Sequence, residues 1–245
     1  MGLILEVCVD TVAGLEAAIA GGADRIEMCS ALALGGLTPS AGLMAEAASR
    51  GLPVMAMIRP RAGDFVWSEA EVAVMERDIA AAREAGLAGV VLGASVADGR
   101  LDGPVLRRLV AASQGMDLTL HRCFDLVPDM HEALEAAVKL GFPRVLTSGG
   151  AMTAEGGASM IAGLVRRAAG RLAIMPGAGV SARNAGALIA LGVSELHGSC
   201  SEPAAVREGT TDLGFGLAGA RQTRAALVRE LKQAMEDAVG DQRHI

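Results

Sequence analysis

The chain has 245 residues, a formal net charge of −6, 51% hydrophobic and only 2% aromatic residues, with no Tyr and one Trp. An acidic balance with almost no stacking rings excludes an electrostatic nucleic-acid binder, and no apolar run approaches the roughly 18 residues of a membrane span. The length suits one large domain over residues 1–245, its core built from Ala, Val, Leu, Ile and Met.

The first apolar run, LILEVCV at 3–9, reads as a strand and carries Glu6 and Cys8. A second, RIEMC at 25–29, repeats the Glu-x-Cys spacing with Glu27 and Cys29. The two-residue strand period puts Glu and Cys of each copy on one face. As neighbours, the two strands would present two thiols and two carboxylates together. Such thiols suit a soft metal, a disulfide or redox chemistry, and buried carboxylates call for a cation nearby. Thr38-Pro39 then predicts a helix start. VMAMI at 54–58 is the third strand, with Met55 and Met57 alternating on one face as core, and Arg59, Pro60 and Arg61 follow it. Ser68 to Glu71 spells a capping box. The fourth strand, AGVVLG at 88–93, ends in Gly93, which leaves space, and Asp102 is the next N-cap.

LTLH at 118–121 puts Thr119 and His121 on one face, ahead of Arg122, Cys123 and Asp125. RVLTS at 144–148 opens the loop Thr147-Ser148-Gly149-Gly150, with Thr153 as an N-cap candidate. LAIMP at 172–176 runs into Gly177-Ala178-Gly179, with Ser181 as another. ELHG at 195–198 supplies Glu195 and His197, followed by Ser199 and Cys200. A last helix is expected from Leu217 to about Val239, and glycines at 21–22, 51, 86, 141 and 192 stand where helices end. His131 in a polar helix start and His244 in the tail are expected in solvent.

Eight strand-like runs alternating with helical segments imply parallel pairing and right-handed crossovers. The expected α/β architecture is a TIM-like (β/α)8 barrel, with an open doubly wound sheet as the alternative. Function in such a barrel collects at the C-terminal strand ends, with apolar strand middles beneath. Glu6, Glu27 and His121 are therefore candidate acid–base groups. Arg59, Arg61, Arg122 and His197 are candidate anion ligands, joined by Ser148 and Gly149 in one Gly-rich loop and Gly177 and Gly179 in the other, where free N–H groups precede helices. Alternatively, Glu6 and Glu27 are structural ion pairs of Arg59, Arg122 or a His.

Taken together, EVCVD (6–10), GGADRIEMCSALALGGLTPS (21–40), MIRPRAGDFVWS (57–68), HRCFD (121–125), RVLTSGG (144–150), IMPGAGV (174–180) and ELHGS (195–199) resemble the CutC copper homeostasis family along nearly the whole chain. The resemblance implies a TIM-like barrel, a cytoplasmic location, a homo-oligomer and a role in copper handling, with Cu(I) held by Cys8 and Cys29. Two positions depart from the family pattern. Cys123 stands where the family's HRAFD motif has Ala, and Cys200 where a small apolar residue is usual; neither takes a family role.

Two functions follow as expectations. In the first, Cu(I) is bound by Cys8 and Cys29, with a His or Met as third ligand and Arg59 or Arg122 lowering the thiol pKa. In the second, a barrel enzyme of unassigned reaction acts on a small anionic metabolite, phosphorylated or carboxylated, clamped by Arg59 and Arg61. The first run passes straight into a strand without a basic leader, and four Cys without CxxC pairs make no disulfide framework. The expected setting is cytoplasmic, with reduced thiols, and the partners are a copper ion or a small anion.

Overall fold

The computed structural model describes residues 2–205, 209–213, 215 and 219–242. Eight short strands form its centre: β1 (Ile4–Val9), β2 (Arg25–Met28), β3 (Val54–Met57), β4 (Gly89–Leu92), β5 (Asp117–Leu120), β6 (Arg144–Thr147), β7 (Ala173–Pro176) and β8 (Glu195–Gly198). β8 pairs with β1, and the others follow in chain order to β7, every ladder parallel. β7 comes back against β8, so the sheet is a nearly closed barrel. All eight predicted strands form within a residue or two of their expected limits. Short β-branched and apolar runs buried on both faces are what a parallel barrel requires.

Helices alternate with the strands: α1 (Val12–Gly21), α2 (Ala41–Ala48), α3 (Glu69–Glu84), α4 (Gly103–Ala112), α5 (Met130–Leu140), α6 (Ala158–Ala168), α7 (Ala182–Ile189) and α8 (Ala225–Gln242). The capping box Ser68–Glu71 is formed, Asp102 caps α4, and Asn184 reaches back to the Ser181 N–H at the start of α7. Gly22 and Gly141 are left-handed C-caps with φ of 90° and 85°.

Three expectations about helix ends are corrected. The N-cap of α2 is Ser40, because its hydroxyl accepts from Leu43 N–H while the Thr38 hydroxyl is taken by Arg59 N–H. Thr153 caps only a turn, at Gly156 N–H, and α6 starts after Gly157. The last helix starts at Ala225, because Arg221–Thr223 forms a strand, β10, antiparallel to β9 (Ser201–Pro203). Leu217 and His244 lie outside the described residues, and His131 is half-buried rather than exposed.

Alternation within each strand sorts the side chains. Leu5, Val7, Val9, Ile26, Met28, Val90, Leu92, Val145 and Leu196 point outward into one continuous core beneath the helices. The inward set is different: Glu6, Cys8, Arg25, Glu27, Cys29, Met55, Met57, Val91, Thr119, Arg144, Leu146, Met175, Glu195 and His197 are all buried but stand outside that core. The lumen is therefore polar to its base, against the expectation of apolar strand middles.

Candidate functional site

The floor of the lumen is an ion network. Arg25 donates to Glu6 and to Glu195, and Arg144 donates to Glu195, Asp117 (3.1 Å) and the Thr119 hydroxyl (3.1 Å). Each arginine opens its strand and reaches carboxylates on other strands. Arg25 also contacts the Met175 sulfur at 3.3 Å. Neither arginine was a candidate from the sequence. The available signal was a single Arg leading an otherwise apolar strand, in RIEM and RVLT.

Above the floor, strand register assembles a second cluster. Glu6 is directly opposite His197 across β1–β8, and Cys8 is directly opposite Glu27 across β1–β2. His197 Nδ1 lies 2.8 Å from Glu6 Oε1, and its Nε2 lies 3.8 Å from Glu27 Oε2. A Cys8 sulfur, a Glu27 oxygen and a His197 nitrogen all lie within 4.8 Å of one another, and all three residues are buried. Cys29 Sγ is 3.4 Å from Glu27 Oε2, and Cys8 Sγ is 3.8 Å from the Gly198 carbonyl.

The expected side-by-side placement of the two thiols is thus modified. Cys29 sits two residues beyond the rung that Cys8 shares with Glu27, a step of about 6.5 Å along the strand. Glu27 lies between the two rungs. Glu6 and Glu27 find their cations in Arg25 and His197, not in Arg59 or Arg122.

Burial and charge oppose each other here. Burial pushes the Glu6 carboxyl up, but the His197 hydrogen bond and the Arg25 charge outweigh it and hold the group at about 2. Burial dominates at Glu27 and raises it. Burial and then the Glu27 carboxylate raise the Cys29 thiol well above its ordinary value, so no arginine activates it. Burial lowers His197, but its interactions with Cys8 and Glu27 more than reverse this and raise it well above its ordinary value. Burial holds the Cys123 and Cys200 thiols up at about 12.

The segment after β3 lies against the chain that follows β2, β4 and β5. Arg59 Nη1 donates to the carbonyls of Leu34 (2.8 Å) and Gly36 (3.1 Å), its Nη2 to Gly63 (2.9 Å), and its guanidinium lies 5.0 Å from the Phe65 ring centre. Arg61 pairs with Glu71 and Asp64 and stacks 4.8 Å from Trp67. Both predicted anion clamps are therefore engaged by the chain itself, Arg59 by the segments after β2 and β3 and Arg61 by its own loop and the start of α3. Trp67 Nε1 donates to the Gly93 carbonyl at 2.9 Å, and Phe65 packs on His121 with ring centres 4.7 Å apart and planes tilted by 50°.

His121 is buried, its Nδ1 accepts from Cys123 N–H, and its Nε2 has no partner. Burial, then the nearby Arg59 charge, drop its pKa to about 3, so it is neutral. Gly93 leaves the space it was expected to leave. A Cβ there would meet His121 Cε1 at 2.4 Å and Cys123 Sγ at 2.5 Å. Gly93→Ala is expected to cost about 1–3 kcal/mol by overpacking, read as a lower urea midpoint at unchanged slope.

The first Gly-rich loop already holds an anion, and it is the chain's own. Asp125 accepts from Ser148 N–H (3.0 Å), Gly150 N–H (3.2 Å), the hydroxyls of Thr147 and Ser148, and Arg122 Nε (2.7 Å). Gly149 N–H is bound by Thr147, and Arg122 also reaches Ser148 Oγ at 2.7 Å. Arg122, Ser148 and Gly150 thus form a nest around Asp125, while Gly149, the predicted donor, is turned to Thr147 instead. In the second loop, Gly177 N–H continues the ladder to Thr147. A Cβ at Gly177 would fall 2.6 Å from Leu146 Cδ1 and 3.5 Å from His197 Cδ2, so its bareness makes room beside the cluster. Gly179 takes a φ of 74° and accepts from Asn184.

Relatives share both sequence and architecture with this chain. Residues 3–202 match the CutC family. The family protein CutC of Sinorhizobium medicae is 56% identical over 237 residues, 96% of each chain, and that of Agrobacterium fabrum is 58% identical over 233 residues, 94% of this chain and 93% of its own. The crystal structure of CutC from Streptococcus agalactiae, a copper homeostasis candidate, superposes with a TM-score of 0.77 at 34% identity, covering 80% of this chain and 98% of its own. Fold and sequence agree, and the chain belongs to the CutC family.

Proposed function

We propose that this chain serves copper homeostasis by binding Cu(I) in the barrel lumen through Cys8 and Cys29, with His197 as third ligand. The observation that carries the reading is the buried meeting of Cys8, Glu27 and His197 within 4.8 Å, with Cys29 touching the same glutamate at 3.4 Å. The donor chemistry fits in part. Two thiols and an imidazole are soft enough for a d10 monovalent ion, and the thioethers of Met55 and Met57 pack around Cys29. Bringing both sulfurs to one ion requires Cys8 and Cys29 to lean toward each other across the two-residue step. A change of χ1 rotamer at either cysteine is the movement this needs.

The copper assignment also draws on the Streptococcus agalactiae relative. All four cysteines are unpaired, which supports a reducing, cytoplasmic setting. No helix among the described residues is long and apolar enough to cross a membrane. A homo-oligomer is supported by the family resemblance alone. The enzyme reading keeps one supporting observation, the orphaned Nε2 of a neutral His121 at the strand ends. It requires an anionic metabolite to displace the contacts that occupy Arg59, Arg61 and the Asp125 nest.

The test is a Cu(I) titration of reduced protein against a competing chelator. One tightly held equivalent is expected in the wild type and its loss in Cys8→Ser/Cys29→Ser. Equal, weak binding in both would sink the reading.

A further inference from the structure

Cu(I) leaves one member of the cluster unexplained. Glu27 is only 3% exposed, and its Oε1 has no hydrogen-bond partner. A buried carboxylate oxygen without a donor is costly, and a bound cation removes that cost. The imidazole beside it is already oriented for such an ion. His197 gives Nδ1 to Glu6 Oε1 at 2.8 Å, which turns Nε2 toward Glu27. Glu6 is itself fixed by Arg25, so it holds the ring rather than joining the cluster. A carboxylate behind the far nitrogen is the usual support of a metal-bound histidine.

Charge balance points the same way. One thiolate and one carboxylate neutralise a divalent ion. A monovalent ion held by two thiolates next to an ionised Glu27 would leave a net buried charge of minus two. A hard carboxylate oxygen is also a poor donor for Cu(I) and a good one for a borderline divalent ion. We propose that Cys8 Sγ, Glu27 Oε and His197 Nε2 form a site for a divalent cation of the Zn2+ class, with Glu6 as its outer carboxylate. Three protein ligands leave a fourth position for water or a small ligand, the pattern of zinc sites that do chemistry rather than brace a fold. The inference rests on the lumen being a metal site, but it differs from the copper reading in ion and in ligands: Glu27 replaces Cys29.

Cobalt(II) is the probe, added to the reduced, chelator-stripped full chain. One equivalent should give the intense visible bands of a tetrahedral ion and a thiolate-to-cobalt charge-transfer band, both abolished by Zn2+. Wild-type protein alone decides this, whatever the variants do to folding: no charge-transfer band overturns the site. Glu27→Gln should then weaken Co2+ binding by roughly a hundredfold, and Glu6→Gln by about 10–100-fold, while Glu27→Gln, which removes a buried negative charge, should leave Cu(I) affinity equal or higher. Cys29→Ser should do the reverse, lowering Cu(I) affinity and sparing Co2+. Equal Co2+ affinity in wild type and Glu27→Gln overturns the divalent site. Equal Cu(I) affinity in wild type and Cys29→Ser overturns the copper reading only.

Discussion

Arg25→Ala is expected to lower the unfolding free energy by about 3–5 kcal/mol, the cost of stripping one partner from a buried ion cluster. Arg25 is the only cation that Glu6 and Glu195 share among the described residues, and all three are nearly inaccessible to water. Removing it strands Glu6 with His197 alone, and Glu195 with Arg144 alone. Stability of this size is a large part of the 5–15 kcal/mol that separates most folded domains from their unfolded chains. Urea unfolding followed by circular dichroism reads the change. A loss below about 1 kcal/mol would mean that the floor is solvated like a surface pair. The same variant frees Glu6 to turn, so His197 should lose its fixed orientation and metal affinity should fall alongside stability.

His121 makes the second large effect, and it depends on pH. Folded His121 takes up a proton only near pH 3, whereas the unfolded side chain does so near 6.5. Between those values the unfolded chain binds the extra proton, so stability falls as pH drops through the window and is untouched by this group above it. The slope is about 1.4 kcal/mol per pH unit. His121→Gln, which cannot titrate, is expected to flatten the acid limb of stability between pH 6.5 and 3 relative to wild type. Denaturation midpoints measured across that range check it. Parallel acid limbs in the two proteins would show that folded His121 titrates normally, and that the packing of Phe65 does not keep water from the ring.

These two residues mark the boundary of what the sequence discloses. The barrel was legible because eight short apolar runs, each bounded by caps and glycines, leave parallel pairing as the consistent solution. The C-terminal strand ends then named Glu6, Cys8, Glu27, Cys29, His121 and His197 as neighbours of one mouth. Spacing within a strand cannot give the register between strands, however. Equal Glu-x-Cys spacing suggested level thiols, yet Cys8 pairs with Glu27 and Cys29 lies one inward position higher. Nor does spacing tell which partner satisfies a loop. Arg59 and Arg61 look like anion clamps in MIRPRAGD, but carbonyls and carboxylates of the same segment and its neighbours take up most of their donors, leaving Arg59 Nε without a partner. The TSGG loop looks like an anion cradle and is one, for Asp125 from the preceding unit. Arg25 and Arg144 stayed hidden because a strand-opening Arg reads as a surface residue until closure of the barrel turns it inward.

The copper site is most directly tested by X-ray absorption at the copper edge on the Cu(I)-loaded, reduced full chain. Two sulfurs and one imidazole nitrogen are expected around the metal, one sulfur disappearing in Cys29→Ser and the nitrogen in His197→Ala. A shell of nitrogen and oxygen alone, or one identical in wild type and both variants, would contradict Cu(I) binding by Cys8 and Cys29 in the lumen.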